Sequence, residues 1–454
     1  MIHKSVPRCR WLRSRQAWLF SLPILFASIP ARAQPTHADF ALQDKDTVVF
    51  FGDSNTQWGS YPTDIENYSL LRFPDRHIRF VNAGADGAMA STAFFRLDKE
   101  VFGAGATVVI VMFGINDISW GNYADSTFRQ TFLDYTAKIV DACRKRNVRV
   151  YVASYPITAA PVGEKARDPY GRFLGTLAST DSSLLQRLGD EAMRLAEKHG
   201  ALTIDVERAM RRIAANAPPG TRFHQDDGVH LNELGQQVLA FTLLAGLGAP
   251  SAVSTVEIDA RTGRTVRSEG ATITGLKLGM SGLDFVRLDK ALPLTFWTPT
   301  TTSGASIEKI FAPINGYFVA FKGLLPRARY DLEVDGISLL PECGLTAKRL
   351  ESGLNLATLS SSRYLQRGPW AQQAIELGRI TDGKADLEAA LSYQRQNEVK
   401  GVDWRRTRER ISAAIGAASL AQKAIARPVP YHFTLKPLSA DSSAKCASRE
   451  RSRS

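Results

Sequence analysis

The chain has 454 residues, 44% of them hydrophobic and 22% charged, with a formal net charge of +12. This balance excludes a fibrous or wholly disordered chain and is enough for one large or two ordinary globular cores. No nucleic-acid motif accompanies the positive charge, so a nucleic-acid partner is not expected.

At the amino end Lys4, Arg8, Arg10, Arg13 and Arg15 precede an apolar run over residues 17–29, and Ala31 and Ala33 follow. This is the pattern of an export signal over residues 1–33, cut after Ala33. The run is shorter than the ~20 residues that cross a bilayer as a helix, so a periplasmic or secreted protein without a stable membrane anchor after cleavage is expected. Cleavage removes six basic residues and no acidic one, which lowers the net charge to +6. Cys143, Cys343 and Cys446 remain. An oxidising compartment permits a disulfide, and Cys343 with Cys446 is the expected pair because Cys143 falls in an amphipathic helical pattern.

From residue 47 onward, β-branched runs alternate with longer helical patterns. Strands are predicted over residues 47–51, 78–83, 107–113, 148–154 and 202–206. The third is apolar throughout, as in a parallel sheet covered on both faces. Phe128, Phe132, Tyr135, Ile139, Val140 and Cys143 recur at helical spacing, and residues 182–198 do much the same. Five such strands predict an open doubly wound α/β sheet, in which ligands bind beyond the carboxyl ends of the strands. Over residues 40–250 this defines one domain. Residues 255–340 carry short alternating runs separated by Gly, Pro and Ser and predict a β-rich accessory region. Residues 341–435 predict a helical region, and residues 436–454 a solvated basic tail.

The first strand runs into Gly52, Asp53 and Ser54, which puts a serine at its carboxyl end. A serine attacks only with a base at hand, and histidine serves because its pKa lies near the working pH. Among seven histidines, His224 and His230 fall in "FHQDDGVHLNELG", just before a helix expected to begin near Asn232. Asp227, three residues before His230 across Gly228, is close enough to hold the ring nitrogen that faces away from the serine. The same cluster also has a structural reading, with Asp227 capping a turn. A metal site on His224, Asp226, Asp227 and His230 matches no recognised spacing, and no metal or other cofactor is expected. Oxyanion donors are offered by Gly87 in "NAGADG" after the second strand and by Asn116 in "GIND" after the third.

Four blocks, "GDS", "NAGADG", "GIND" and "DGVH", in this order and with the first three at strand ends, resemble the SGNH hydrolases, also called the GDSL-type esterase and lipase family. The resemblance covers about residues 46–247. It implies a flavodoxin-like three-layer α/β/α sandwich and metal-free ester hydrolysis by a carboxylic ester hydrolase. It implies Ser54 as nucleophile, His230 as general base and Asp227 as its orienting partner. The oxyanion donors it implies are the Ser54 N–H, Gly87 and the Asn116 side chain. Gly84 is an alternative to Gly87, because Asp86 and Ala88 depart from the frequent form of the second block.

Trp58, Tyr61, Trp120 and Tyr123 follow the nucleophile and oxyanion segments, with Trp58 and Trp120 the expected substrate-binding rings. Residues 155–180 have the composition of a lid. The expected substrate is a small-molecule or glycan ester carrying an acetyl or other short acyl group. Three alternatives stand beside it. One is a polysaccharide O-acyltransferase using the same triad, and another a lipase or broad carboxylesterase. The third is a glycan-binding protein in which Phe296, Trp297, Tyr317 and Phe318 hold sugars. Oligomeric state is not encoded in any motif.

Overall fold

The computed structural model describes residues 40–121, 126–159, 184–279, 282–296, 307–340, 343–359, 368–396 and 403–439. The export signal, Tyr123, Trp297, Cys446, the tail beyond residue 439 and most of the segment expected to act as a lid lie outside the described residues.

Five parallel strands form the first sheet: β1 (Thr47–Gly52), β2 (Arg79–Asn82), β3 (Val108–Met112), β4 (Arg149–Ala153) and β5 (Leu202–Ile204), in the order β2-β1-β3-β4-β5. All of β3 and nearly all of β1 are buried, which is why their sequences run apolar without alternation. Helices Tyr61–Arg72 and Glu233–Gly246 pack together, as do helices Ala90–Phe94, Ser126–Lys145 and Leu184–Lys198 around the third and fourth strands. The result is the expected three-layer α/β/α sandwich. Strand order reverses between β1 and β3, so the loops after these two strands open the crevice in which doubly wound folds bind ligands. Asn232 caps the helix that follows His230, its side chain accepting the Gly235 N–H at 2.9 Å.

The second region holds two further sheets. Strands β6 (Ala252–Asp259), β7 (Arg264–Glu269), β8 (Ala271–Gly279), β9 (Gly282–Asp289), β10 (Gly316–Lys322), β11 (Arg329–Val334), β12 (Ile337–Ser338), β13 (Leu345–Thr346), β14 (Leu354–Asn355) and β15 (Tyr431–Pro437) build them. One sheet has the order β14-β10-β6-β7 and the other β12-β11-β15-β9-β8, with β13 on β11. The fully exposed β7 was not expected, since a strand buried on neither face leaves no alternation to read.

The expected helical region is present, and short strands flank its helices. Residues 345–355 contribute strands β13 and β14, and only the hairpin of helices Pro369–Gln396 and Trp404–Ile425 is helical at length. After that hairpin the chain returns as β15, which pairs with β11 on one side and β9 on the other. Residues 436 and 437, expected in the tail, end this central strand. The hairpin does not swing free. Thr381 donates to Asn67 Oδ1 at 2.5 Å, Gln422 donates to Glu66 Oε1 at 3.1 Å, and Lys384 pairs with Glu66, all buried against helix Tyr61–Arg72.

Between the two accessory sheets lies a fully buried ion pair. Arg287 and Asp289 of β9 are linked at 3.0 Å, Arg287 donates to Ser254 Oγ of β6 at 2.7 Å, and the Tyr317 hydroxyl of β10 donates to Asp289 at 2.6 Å. Tyr317 and Phe296 are therefore core residues and offer no ring to a sugar; Phe318 is partly exposed. Cys343 is disulfide-bonded, while its expected partner lies outside the described residues; Cys143 is free and buried. Among the described residues no helix is long and apolar enough to cross a membrane.

Candidate active site

Strand β1 ends at Gly52, and the chain turns at once into a short helix, Ser54–Gln57, capped by Asp53, whose carboxylate accepts the Asn55 N–H at 3.0 Å. Gly52 leaves no room for a side chain, because an added Cβ would stand 2.1 Å from Thr56 Oγ1. That close approach puts Ser54 at the crevice.

His230 reaches the same point from the loop before helix Glu233–Gly246. Its Nε2 lies 2.9 Å from Ser54 Oγ and its Nδ1 lies 2.6 Å from Asp227 Oδ2. Gly228, at φ +74°, turns the backbone so that Asp227 Oδ1 also accepts the Val229 and His230 N–H groups, each at 2.9 Å. Burial alone would raise the Asp227 carboxyl, but the His230 ring and the two backbone donors hold it below the usual carboxylate range. Asp227 in turn raises His230 above the ordinary histidine value, against the opposing effect of burial. With Nδ1–H committed to the carboxylate, Nε2 is left as the acceptor for the serine proton.

The donor side of the crevice comes from two loops. In "GIND", Gly114 sits at φ +144°, and Asn116 Nδ2 donates to the Ala88 carbonyl at 3.1 Å, with Asp53 Oδ2 further off at 3.4 Å. Asp117 ties this loop to the one before it by accepting the Ala90 N–H at 2.9 Å, and burial pushes its carboxyl up to about 7. Gly87 adopts φ +65° with open space around its α-carbon. Neither its N–H nor that of Ser54 has a hydrogen-bond partner among the described residues. Gly84 differs: its N–H donates to Asn82 Oδ1 at 2.9 Å, and a Cβ there would meet the Gln57 backbone at 2.2 Å. It is the residue that lets the second loop approach the nucleophile helix.

Of the aromatic residues, Trp120 stands edge-on to the His230 ring at 5.6 Å, and Trp58 is 73% exposed one turn after Ser54. Tyr61 is buried and bonded to Thr56 Oγ1, so it belongs to the core. His224 turns inward, its Nε2 on the Ile157 carbonyl at 2.7 Å. His77 and His432 are exposed and His199 pairs with Asp141.

Residues 50–238 match the model of the GDSL-like lipase/acylhydrolase family. This segment belongs to that family. The protein is accordingly a carboxylic ester hydrolase, and the SGNH blocks lie within its hydrolase domain. No curated protein matches the chain. Among solved structures it is similar to BT4096, a gut microbial diltiazem-metabolizing enzyme, at 22% identity and a TM-score of 0.68, over 87% of this chain and 98% of that one. That likeness extends the shared fold well beyond the hydrolase domain. LAE5, an alpha/beta hydrolase enzyme from the metagenome of Lake Arreo, Spain, matches at 25% identity and a TM-score of 0.36, over 46% of this chain and 98% of that one. Axe2, an acetylxylan esterase from Geobacillus stearothermophilus, matches at 19% identity and a TM-score of 0.36, over 46% and 96%.

Sequence reasoning missed Asn55. Its amide, 2% exposed, donates to the Val229 carbonyl at 3.2 Å and to the Tyr155 hydroxyl at 2.8 Å, and accepts the Leu231 N–H at 2.9 Å. It thus grips the backbone on both sides of His230. Tyr155 and the fully buried Asp53 continue the network, and burial pushes Asp53 up to about 7 although Asn55 and Tyr155 act to lower it. No motif marks Asn55 or Tyr155, since each matters only through a partner at least 100 positions away; Asp53 stands in the GDS block, but its burial under the serine is not written there.

Proposed function

We propose that the protein is an exported serine esterase that removes acetyl or other short acyl groups from carbohydrate through an acyl-serine at Ser54. The observation that carries this reading is the relay from Ser54 Oγ through His230 to Asp227, at 2.9 and 2.6 Å. Ser54 Oγ attacks the ester carbonyl as its proton passes to His230 Nε2, and Asp227 stabilises the imidazolium. The N–H groups of Ser54 and Gly87 and the Asn116 amide receive the oxyanion. Collapse of the tetrahedral intermediate expels the alcohol, protonated by His230, and leaves the acyl-serine. Water, deprotonated by the same ring, then releases the acid and regenerates Ser54.

The exposed Trp58 beside the nucleophile supports a substrate that lies on an open surface, as a sugar ring does, rather than one enclosed in a deep pocket. The basic and then apolar amino end supports export. The test is turnover of p-nitrophenyl acetate and of acetylated glycans by the mature protein, with an acyl-chain series and a Ser54→Ala control. Unchanged turnover in Ser54→Ala refutes the mechanism, and a preference for long acyl chains refutes the substrate class. Transfer of the acyl group to an added glycan in place of release as free acid refutes the hydrolytic outcome. A periplasmic or secreted product beginning at Gln34 is the expected result of fractionation and amino-terminal sequencing.

A further inference from the structure

The loop that carries Asn116 ends in two consecutive non-glycine residues in the left-handed region, Ser119 at φ 48° and Trp120 at φ 58° and ψ 32°. A bulky residue rarely adopts that conformation, and it persists only where surrounding contacts over-determine it. Here the Ser119 N–H donates to the Asn116 carbonyl and the Trp120 N–H to the Ile115 carbonyl, both at 2.9 Å, which folds the loop back on itself. The consequence is that the indole returns over the start of the loop, and its Nε1–H donates to Asn116 Oδ1 at 2.9 Å.

An asparagine amide has one acceptor oxygen and two N–H donors. In Asn116 the oxygen is taken by Trp120 and one N–H by the Ala88 carbonyl at 3.1 Å. The nearest acceptor for the second is Asp53 Oδ2 at the longer distance of 3.4 Å. Two short bonds at opposite ends of the amide thus fix its plane and leave one donor weakly engaged with the carboxylate of Asp53, the residue before Ser54. Were the amide to turn over, its oxygen would face the developing oxyanion and repel it.

We propose that Trp120 is a positioning residue for the oxyanion site, holding the Asn116 amide with its donor toward the reacting carbonyl, and is not a platform for substrate. The inference rests on the proposed role of Asn116 as an oxyanion donor. Trp120→Phe keeps the ring beside His230 and removes only the N–H. It is expected to lower kcat for p-nitrophenyl acetate by about 2- to 13-fold with KM unchanged, the rate equivalent of one neutral hydrogen bond. In an Asn116→Ala background the same substitution is expected to have no further effect. A raised KM with unchanged kcat, or losses that multiply in the double variant, would overturn the proposal and leave the oxyanion role of Asn116 standing. Full activity of Asn116→Ala would overturn that role and the proposal together. Should Trp120→Phe fail to fold, Trp120→Met, which also lacks the donor, enters the same cycle with the same expected outcomes.

Discussion

Replacing Asn55 with alanine removes three buried hydrogen bonds of 2.8, 2.9 and 3.2 Å that join the nucleophile helix to Tyr155 and to the backbone flanking His230. Val229 and Leu231 are each 3% exposed, so water has little access to the groups left behind. Each orphaned buried group costs about 1–3 kcal/mol, and partial relaxation brings the expected loss of unfolding free energy to about 2–5 kcal/mol. That is a large part of the ~5–15 kcal/mol typical of a domain. The catalytic effect has a separate origin. Ser54 and His230 stay joined by their own 2.9 Å contact, but the loop carrying the base loses its fixed register to the serine. Misplacement on the order of 1 Å lowers turnover by about 10²-fold. Urea denaturation read as midpoint and slope, together with kcat and KM for p-nitrophenyl acetate, measures both effects. A stability loss below about 1 kcal/mol with kcat within about twofold of wild type would show that the His230 loop is held by other contacts.

Other substitutions probe the remaining links. Asp227→Asn removes the largest influence that raises His230, so the acid limb of kcat/KM, which requires the neutral ring, should move to lower pH as maximal turnover falls; an unmoved limb refutes the pairing as its cause. Asn116→Ala should lower kcat by about 10²- to 10³-fold, the usual size for one oxyanion donor, and a loss of only a few fold removes Asn116 from that role. Asp64, buried beside Ser60, has its carboxyl raised from 3.8 to about 8, chiefly by burial and then by Asp382. A raised folded-state pKa means that stability present below pH 3.8 is lost as pH climbs through about 8. Asp64→Asn should therefore be more stable than wild type at pH 9, by at least ~1.4 kcal/mol, the equivalent of one unit, and should gain nothing at pH 3; equal melting curves at pH 9 refute the account. Arg287→Ala leaves Asp289 buried without its cation and should cost about 3–5 kcal/mol, read by thermal or urea unfolding, and a loss under about 1 kcal/mol would show that water enters between the sheets.

The hydrolase half was open to reading because its signals are local. Parallel strands buried on both faces must be apolar throughout, so β1 and β3 declare themselves. The blocks around Ser54, Gly87, Asn116 and His230 sit at strand or helix ends, where short-range sequence sets the turn. Asp227 is also local to its partner, three residues from His230, and the helix start at Asn232 follows from one capping side chain. The accessory half was legible only as strands and helices in series. That β15 lies between β11 and β9 depends on pairings made with segments about a hundred residues or more away, and its composition is that of any short strand.

By itself, then, the sequence determined the α/β sandwich and marked the candidate residues at its strand ends, since periodicity, turn chemistry and spacing act within a few residues of one another. Only the tertiary structure decided what holds those residues in register. The grip of Asn55 on both sides of His230, the hydrogen bond from Trp120 to the Asn116 amide, and the bond that occupies the Gly84 N–H all depend on which donors and acceptors meet after folding. Hydrogen bonding between buried groups is settled by proximity in space, and a chain read in one dimension does not contain it.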